Sequence, residues 1–432
     1  MRKSMWGVVA TLVVGAAVSL ACGHGSKMPS GPEASPVALD AALGNKFVKS
    51  GASNTLVARI GLAAKKRSVT VRPPVNLALL VDTSGSMEGR AIADARAASL
   101  ALVGSLAPED RIAVVVFDSK AEVLLPSTRV NDADMKDLRK KIEAMKATGT
   151  TDMASGLKLA IDEVSRTLER DGVNRVVLVG DGVPNDDRQI VPMVTQAAAK
   201  GISITALGLG NDYDETLMGR VAQISGGKFF YVEDSTKVAS FFAEEVTRLH
   251  KVVARHAVLE LRPGPGVTVT GVVGRTFYGL DRGVGVQLGD LSLGEEAEVV
   301  VELASTAPKE GANVEVLDAV LKFEDGVGGA QREERVFVGA KATQDAAWID
   351  KGHVKSVEDA FARAKDAAAT LEKIENDRNM QNAKSRGAPP PSPIQPKAGA
   401  AMKSAAAADE KPMAPEVQRQ VHDQAMRHFQ NH

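Results

Sequence analysis

Between residues 73 and 249 two apolar patterns alternate. Residues 75–81, 111–117, 176–179, 203–207 and 229–232 are short runs, apolar at nearly every position. Such runs suit strands that a parallel sheet buries on both faces. The stretches between them, 90–106, 134–145, the segment after Thr151, 190–199, 213–224 and 238–249, space their apolar residues as helices do. The helix after Thr151 sets Leu157, Ile161, Val164 and Leu168 on one stripe, its core face. Residues 122–125 read as a short edge strand. Strands alternating with helices predict an α/β unit, a doubly wound, mostly parallel sheet covered on both faces.

After His250 the period falls to two. Residues 257–261, 267–273, 284–288, 297–303, 314–323 and 335–338 alternate, and G-P-G, L-G-E-E and E-D-G-V-G-G turns separate them. That pattern predicts a β-sandwich over residues 250–342. Upstream, residues 55–62 alternate in the same way and 68–72 are a further strand candidate. Residues 44–72 are therefore expected to join the sandwich, which makes the α/β unit at 73–249 an insertion. Within a helical segment at 343–384, a helix over 347–377 places Val354, Val357, Phe361, Ala364, Ala368 and Leu371 on one stripe. The stripe is short and alanine-rich, so packing on the sandwich is expected rather than a coiled coil. Residues 385–415 are rich in proline, alanine and lysine and lack a core. The last stretch, 416–432, spaces Val417, Val421, Ala425 and Phe429 by four, a helix that docks on a partner, docks on its own chain or stays loose.

The first 22 residues have a basic start at Arg2 and Lys3 and an apolar segment at 6–20, then Ala21 and Cys22. That is a signal peptide, too short for a spanning helix. It resembles a bacterial lipoprotein signal, which implies acylation of Cys22 and a membrane lipid anchor; the other reading is a plain secretory signal. Cys22 is the chain's one cysteine, so no disulfide framework competes for it. Gly23 after the cysteine resembles lipoproteins sorted onward to the outer membrane, which the resemblance favours over the inner one, and residues 23–43 read as a flexible tether. With 432 residues and 44% apolar composition the chain has room for two or three cores. A net charge of -1 gives no basis for nucleic-acid binding.

The candidate chemistry sits where the first apolar run ends. D-T-S-G-S-M presents Asp82, Ser84 and Ser86 as alternating oxygen ligands, with Gly85 allowing a tight turn. A carboxylate with hydroxyls is a hard-oxygen set, suited to Mg²⁺ or Mn²⁺. The carboxyl end of a strand is where open α/β sheets place ligands. Taken alone, the motif also fits a polar turn that caps the next helix. Two further pieces follow: T-G-T-T-D-M-A-S-G-L from Thr148, and V-V-L-V-G-D-G-V-P-N, which presents Asp181.

With three pieces in this order, the chain resembles the von Willebrand factor type A (VWA) family, whose fold is Rossmann-like. The resemblance implies a metal-ion-dependent adhesion site at Asp82, Ser84, Ser86, Thr151 and Asp181. The family's spacing to Gly156-Leu157 selects Thr151 over Thr150. Gly180 departs from the threonine that many members carry there. The resemblance further implies that the hydroxyls bind Mg²⁺ or Mn²⁺ directly while aspartates act through water. A protein ligand would complete the octahedron with a carboxylate. The L-G-D-L-S-L-G-E-E segment resembles the domain that follows VWA units in many bacterial surface proteins.

Competing chemistries find less support. Residues 208–215 lack the alternating carboxylates and closing glutamate of an EF-hand, and no phosphate-binding G-x-x-x-x-G-K-[ST] occurs. Asp186-Asp187 read as a helix start. His428 and His432 share a helical face without a further ligand, and His250 and His256 flank the domain junction without a nucleophile motif. The expectation is a non-enzymatic, lipid-anchored envelope protein that binds a protein ligand through its cation. The alternatives are an assembly or chaperone-like subunit of an envelope complex, or a structural envelope protein with a vestigial metal site. Nothing in the sequence sets the oligomeric state.

Overall fold

The computed structural model describes residues 35–65, 72–180, 188–209, 215–231, 238–326, 328–385 and 415–430. The signal segment with Cys22, residues 23–34 of the expected tether, most of the strand candidate at 68–72, Asp181, Asp186-Asp187 and residues 386–414 lie outside the described residues.

The described chain opens with β1 (Val37–Leu43), β2 (Phe47–Lys49) and β3 (Asn54–Ala64). The tether expected to reach residue 43 therefore ends earlier. β1 pairs antiparallel with β3 along its length, and Val37, Leu39, Ala41 and Leu43 face the core while Asp40 and Ala42 face out. The alternation is real, but alanine and aspartate dilute it to a linker-like composition.

The inserted α/β unit runs β4 (Val75–Asp82), α1 (Arg90–Ser105), β5 (Arg111–Phe117), β6 (Ala121–Arg129), α2 (Met135–Ala144), α3 (Met153–Arg166), β7 (Val173–Gly180), α4 (Ile190–Ala199), β8 (Ile202–Gly208), α5 (Glu215–Ser225), β9 (Phe229–Tyr231) and α6 (Val238–Leu249). Its sheet order is β6-β5-β4-β7-β8-β9, all parallel except β6. Every residue of β4, β7 and β8 is buried, as double-faced cover requires. Leu77, Leu79 and Val81 meet α1, α2 and α6 on one face; Ala78 and Leu80 meet the α3, α4 and α5 side. β6 is longer than the expected 122–125. Pro126 is tolerated because an edge strand need not donate at every position. α3 stops at Arg166, so Leu168 leaves the expected stripe and is exposed.

The chain then returns to the sandwich with β10 (Val252–Pro263), β11 (Val267–Val272), β12 (Tyr278–Leu280), β13 (Gly283–Ser292), β14 (Glu296–Ser305), β15 (Asn313–Asp325) and β16 (Gln331–Thr343). One sheet is β1-β3-β14-β11 and the other β12-β13-β10-β15-β16-β2, and their inner faces share one aliphatic core. Because β3 lies inside the first sheet, the α/β unit interrupts the sandwich. The expected helix over 347–377 is two helices, α7 (Ala346–Lys351) and α8 (Lys355–Ser385). Gly352 separates them; a Cβ there would lie 2.2 Å from Asn45 Oδ1, so the chain turns where it touches β2's approach. Val357, Ala360, Ala364 and Ala368 cover the outer side of the first sheet. α9 (Pro415–Phe429) docks on the same chain.

A buried charge network ties the two domains at the amino ends of the parallel strands. Arg175 on β7 donates to Asp290 Oδ2 of β13 at 2.8 Å and to Thr205 Oγ1 at 2.9 Å. Arg248 bridges Glu245 to Glu295, and Lys228 Nζ lies 2.7 Å from Glu295 Oε1. Burial alone would raise the Glu245 carboxyl; Arg248, Arg175 and Lys228 outweigh it and hold the group at about 2, below its ordinary 4.5. A depressed carboxylate stabilises fully above its unfolded value, and that contribution is lost as pH falls toward its folded value. Urea midpoints are therefore expected to fall between pH 4.5 and about 2, and Glu245→Gln to flatten that part of the profile.

Candidate metal centre

β4 is the first strand of the inserted sheet. β5 and β6 then build outward on one side and β7 to β9 on the other, so the strand order reverses between β4 and β7. Open α/β sheets leave a ligand crevice at that point, at the carboxyl ends. Asp82 ends β4 there and is fully buried.

The loop after Asp82 is fixed by short hydrogen bonds. Ser84 N–H donates to Asp82 Oδ1 at 2.8 Å, which fixes the carboxylate. Thr83 donates through both its N–H and Oγ1 to the Phe117 carbonyl, at 2.8 and 3.0 Å. A single-turn 3₁₀ segment, Gly85–Met87, then turns the chain into α1. Ser84 is buried and Ser86 exposed, and their hydroxyl oxygens lie 3.0 Å apart.

The threonine loop is stitched to this one. Thr148 N–H donates to the Thr83 carbonyl at 2.7 Å, and Gly85 N–H to the Gly149 carbonyl at 3.2 Å. Gly149 needs its glycine, with φ +71° and a Cβ position 2.4 Å from Ser119 Oγ. Thr150 turns to Ser119, which accepts from its N–H at 2.9 Å and meets its hydroxyl at 3.3 Å. Thr151 is the buried one of the pair. Asp152 caps α3 by accepting from Ser155 N–H at 3.1 Å.

Asp82, Ser84, Ser86 and Thr151 thus occupy two loops that are bonded to each other. Asp181 lies outside the described residues, and the backbone leading to it is packed against Asp82. A Cβ on Gly180 would sit 2.3 Å from Asp82 Cβ. Gly180→Thr is therefore expected to displace Asp82, costing about 1–3 kcal/mol by overpacking. Urea unfolding and Mg²⁺ titration would show the two effects together.

Some contributors were not singled out from sequence. Asp118, just past β5, accepts from Thr148 Oγ1 at 2.9 Å, and its carbonyl accepts from Asp152 N–H at 2.7 Å, so it braces the threonine loop. Its place at the carboxyl end of the strand beside β4 was the available signal. Ser119, Thr150, Asp152, Ser155 and Gln189 line a 450 Å³ cleft next to Thr151, a polar approach for a ligand.

The donor chemistry fits a small hard cation. The Ser84 and Ser86 hydroxyls are hydrogen-bonded to each other at 3.0 Å, which sets two neutral oxygens side by side next to the Asp82 carboxylate.

Comparison with known proteins bears on the fold that carries these loops. Residues 76–244 match the family model of the von Willebrand factor type A domain. An uncharacterized protein of Synechocystis is 31% identical over 209 residues, covering 48% of this chain and 49% of that protein. The uncharacterized protein YfbK of Escherichia coli is 28% identical over 217 residues, covering 48% of this chain and 37% of its own. The chain thus spans half or less of the length of these relatives. Among solved structures, a von Willebrand factor type A protein from Catenulispora acidiphila superposes with a TM-score of 0.64 at 16% identity, covering 81% of this chain and 82% of that one. That coverage is wider than the α/β unit, so the likeness in fold extends beyond it. Residues 76–244 form a von Willebrand factor type A domain, inserted in a β-sandwich.

Proposed function

We propose that this protein binds a protein ligand through a divalent cation, Mg²⁺ or Mn²⁺, held by Asp82, Ser84, Ser86, Thr151 and Asp181. The observation that carries this reading is the pair of serine hydroxyls set 3.0 Å apart beside buried Asp82, at the reversal of strand order. When bound, the cation offers an electrophilic position to an anionic oxygen. Neutral hydroxyls leave most of its charge uncompensated, so a carboxylate from the partner is the favoured last ligand. Asp82 holds the loop through Ser84 N–H, and the bonds from Thr148 and Gly85 keep the two loops in register.

The pattern around Cys22 supports a setting in the bacterial envelope, with the chain lipid-anchored and the outer membrane favoured. The test is a pull-down from solubilised envelope with protein lacking residues 1–22, run in Mg²⁺, in EDTA and with Asp82→Ala. A partner retained by the intact site in Mg²⁺ alone supports the reading. A partner retained equally in all three moves the function to the sandwich or the helices.

A further inference from the structure

The turn between β11 and β12 carries a cation, Arg275, that faces no carboxylate among the described residues. Gln223 of α5 holds this turn on both sides of it. Gln223 Nε2 donates to the Gly274 carbonyl at 2.7 Å, and Gln223 Oε1 accepts from Thr276 N–H at 3.3 Å. Arg275 itself makes one long hydrogen bond, from Nη2 to the Glu298 carbonyl at 3.4 Å. Its Nε is buried and meets no acceptor among the described residues. The other buried arginines differ: Arg175, Arg248 and Arg255 each face a carboxylate. Burial is what acts on the Arg275 guanidinium, and it pulls the group down to about 10, which leaves it charged at neutral pH. A buried charge is costly until something neutralises it, and a carbonyl brings no charge.

Arg275 lines a cavity of about 20 Å³. Its walls come from α5, from Gly226 and Gly227, from β13 and from α9, so the inserted domain, the sandwich and the last helix meet around it. The polar lining is two cations, Arg275 and Lys228, and three amides, Gln223, Gln287 and Gln430; no carboxylate lines it among the described residues. Lys228 Nζ lies 2.7 Å from Glu295 Oε1, so its charge is already met and that of Arg275 is not. Gln223 and Gln430 each donate one amide hydrogen to a carbonyl, of Gly274 and of Phe229, and each has a second to give. A space of this volume takes one particle about the size of a water molecule. Water would accept from Arg275 without neutralising it, and sulfate or phosphate would not fit.

We propose that this cavity is a halide site: it binds one chloride ion, held by the Arg275 guanidinium and by amide hydrogens of the surrounding glutamines. The ion brings the missing negative charge in the smallest package, and its ligands come from all three parts of the fold. Chloride therefore stabilises the junction as a whole rather than one domain. The site is separate from the loops around Asp82 and does not depend on what they bind.

Thermal midpoints of the full chain test this, measured in EDTA while sodium chloride replaces sodium gluconate at constant ionic strength. Gluconate is too bulky for the cavity. A ligand held by the folded state alone raises the midpoint with the logarithm of its concentration, here by about 1–3 °C per tenfold once the site is half filled. Wild type is expected to show that slope and Arg275→Met to lose it. A general salt effect acts on both proteins alike, so equal slopes, or no slope in the wild type, overturn the proposal. Should Arg275→Met fail to fold, wild-type crystals grown in sodium bromide decide. An anomalous peak beside Arg275 Nε supports the site, and its absence there overturns it.

Discussion

Arg175→Ala is expected to destabilise the protein by about 3–5 kcal/mol, the usual consequence of leaving buried charges without their partner. Arg175 is 1% exposed and faces Asp290 at 2.8 Å and Glu245 at 3.6 Å, both of them buried. Truncation leaves the Asp290 carboxylate without its guanidinium where water cannot reach it, removes one of the cations around Glu245, which keeps Arg248, and removes the donor to Thr205. The defect falls at the contact between domains, so unfolding should become less cooperative as well as easier. Urea titration followed by tryptophan emission and circular dichroism would show both. A double replacement, Arg175→Met with Asp290→Leu, which leaves Glu245 with Arg248, should recover part of the loss, because apolar groups of similar volume replace a buried ion pair with little penalty.

Asp82→Ala carries the largest expected effect on binding. Even residues that only orient metal ligands are worth about 10–100-fold in affinity, so loss of the carboxylate at the centre of the loop should exceed about 100-fold. Ser84→Ala and Thr151→Ala should weaken cation binding in the same direction. Thr150→Ala should change it little, since that hydroxyl is already engaged with Ser119 at 3.3 Å. Mg²⁺ dependence of thermal stability checks the series, because a cation bound only by the folded state raises the transition temperature.

The α/β unit was legible because its strands are buried on both faces. Residues 75–81 admit almost no polar side chain, and that run announces both a central strand and the place where it must stop, Asp82. The sandwich was legible from period two, except at β1, where alanine and aspartate thin the alternation. The break between α7 and α8 depends on a contact with Asn45, some 300 residues away in sequence, which no local pattern encodes. Arg175 and Asp290 are 115 residues apart, and each reads locally as an ordinary strand charge; their pairing exists only once two domains meet. The carboxylate and hydroxyls of the candidate site were readable from spacing, whereas the bracing by Thr83, Asp118 and Gly149 was not, because those bonds join separate loops. The four-residue spacing in α9 showed an amphipathic helix, but Val417 at its start is exposed while Ala425 and Phe429 are buried, and the spacing did not say where the helix docks.

The central claim is that two hydroxyl-bearing loops beside Asp82 hold a divalent cation. Calorimetric titration of Mg²⁺ and of Mn²⁺ into metal-stripped protein, with Asp82→Ala and Thr151→Ala alongside, tests it most directly. One ion per chain taken up by the wild type, released by EDTA and lost in both variants, is the predicted result. No uptake by the wild type, or equal uptake by all three proteins, would contradict it.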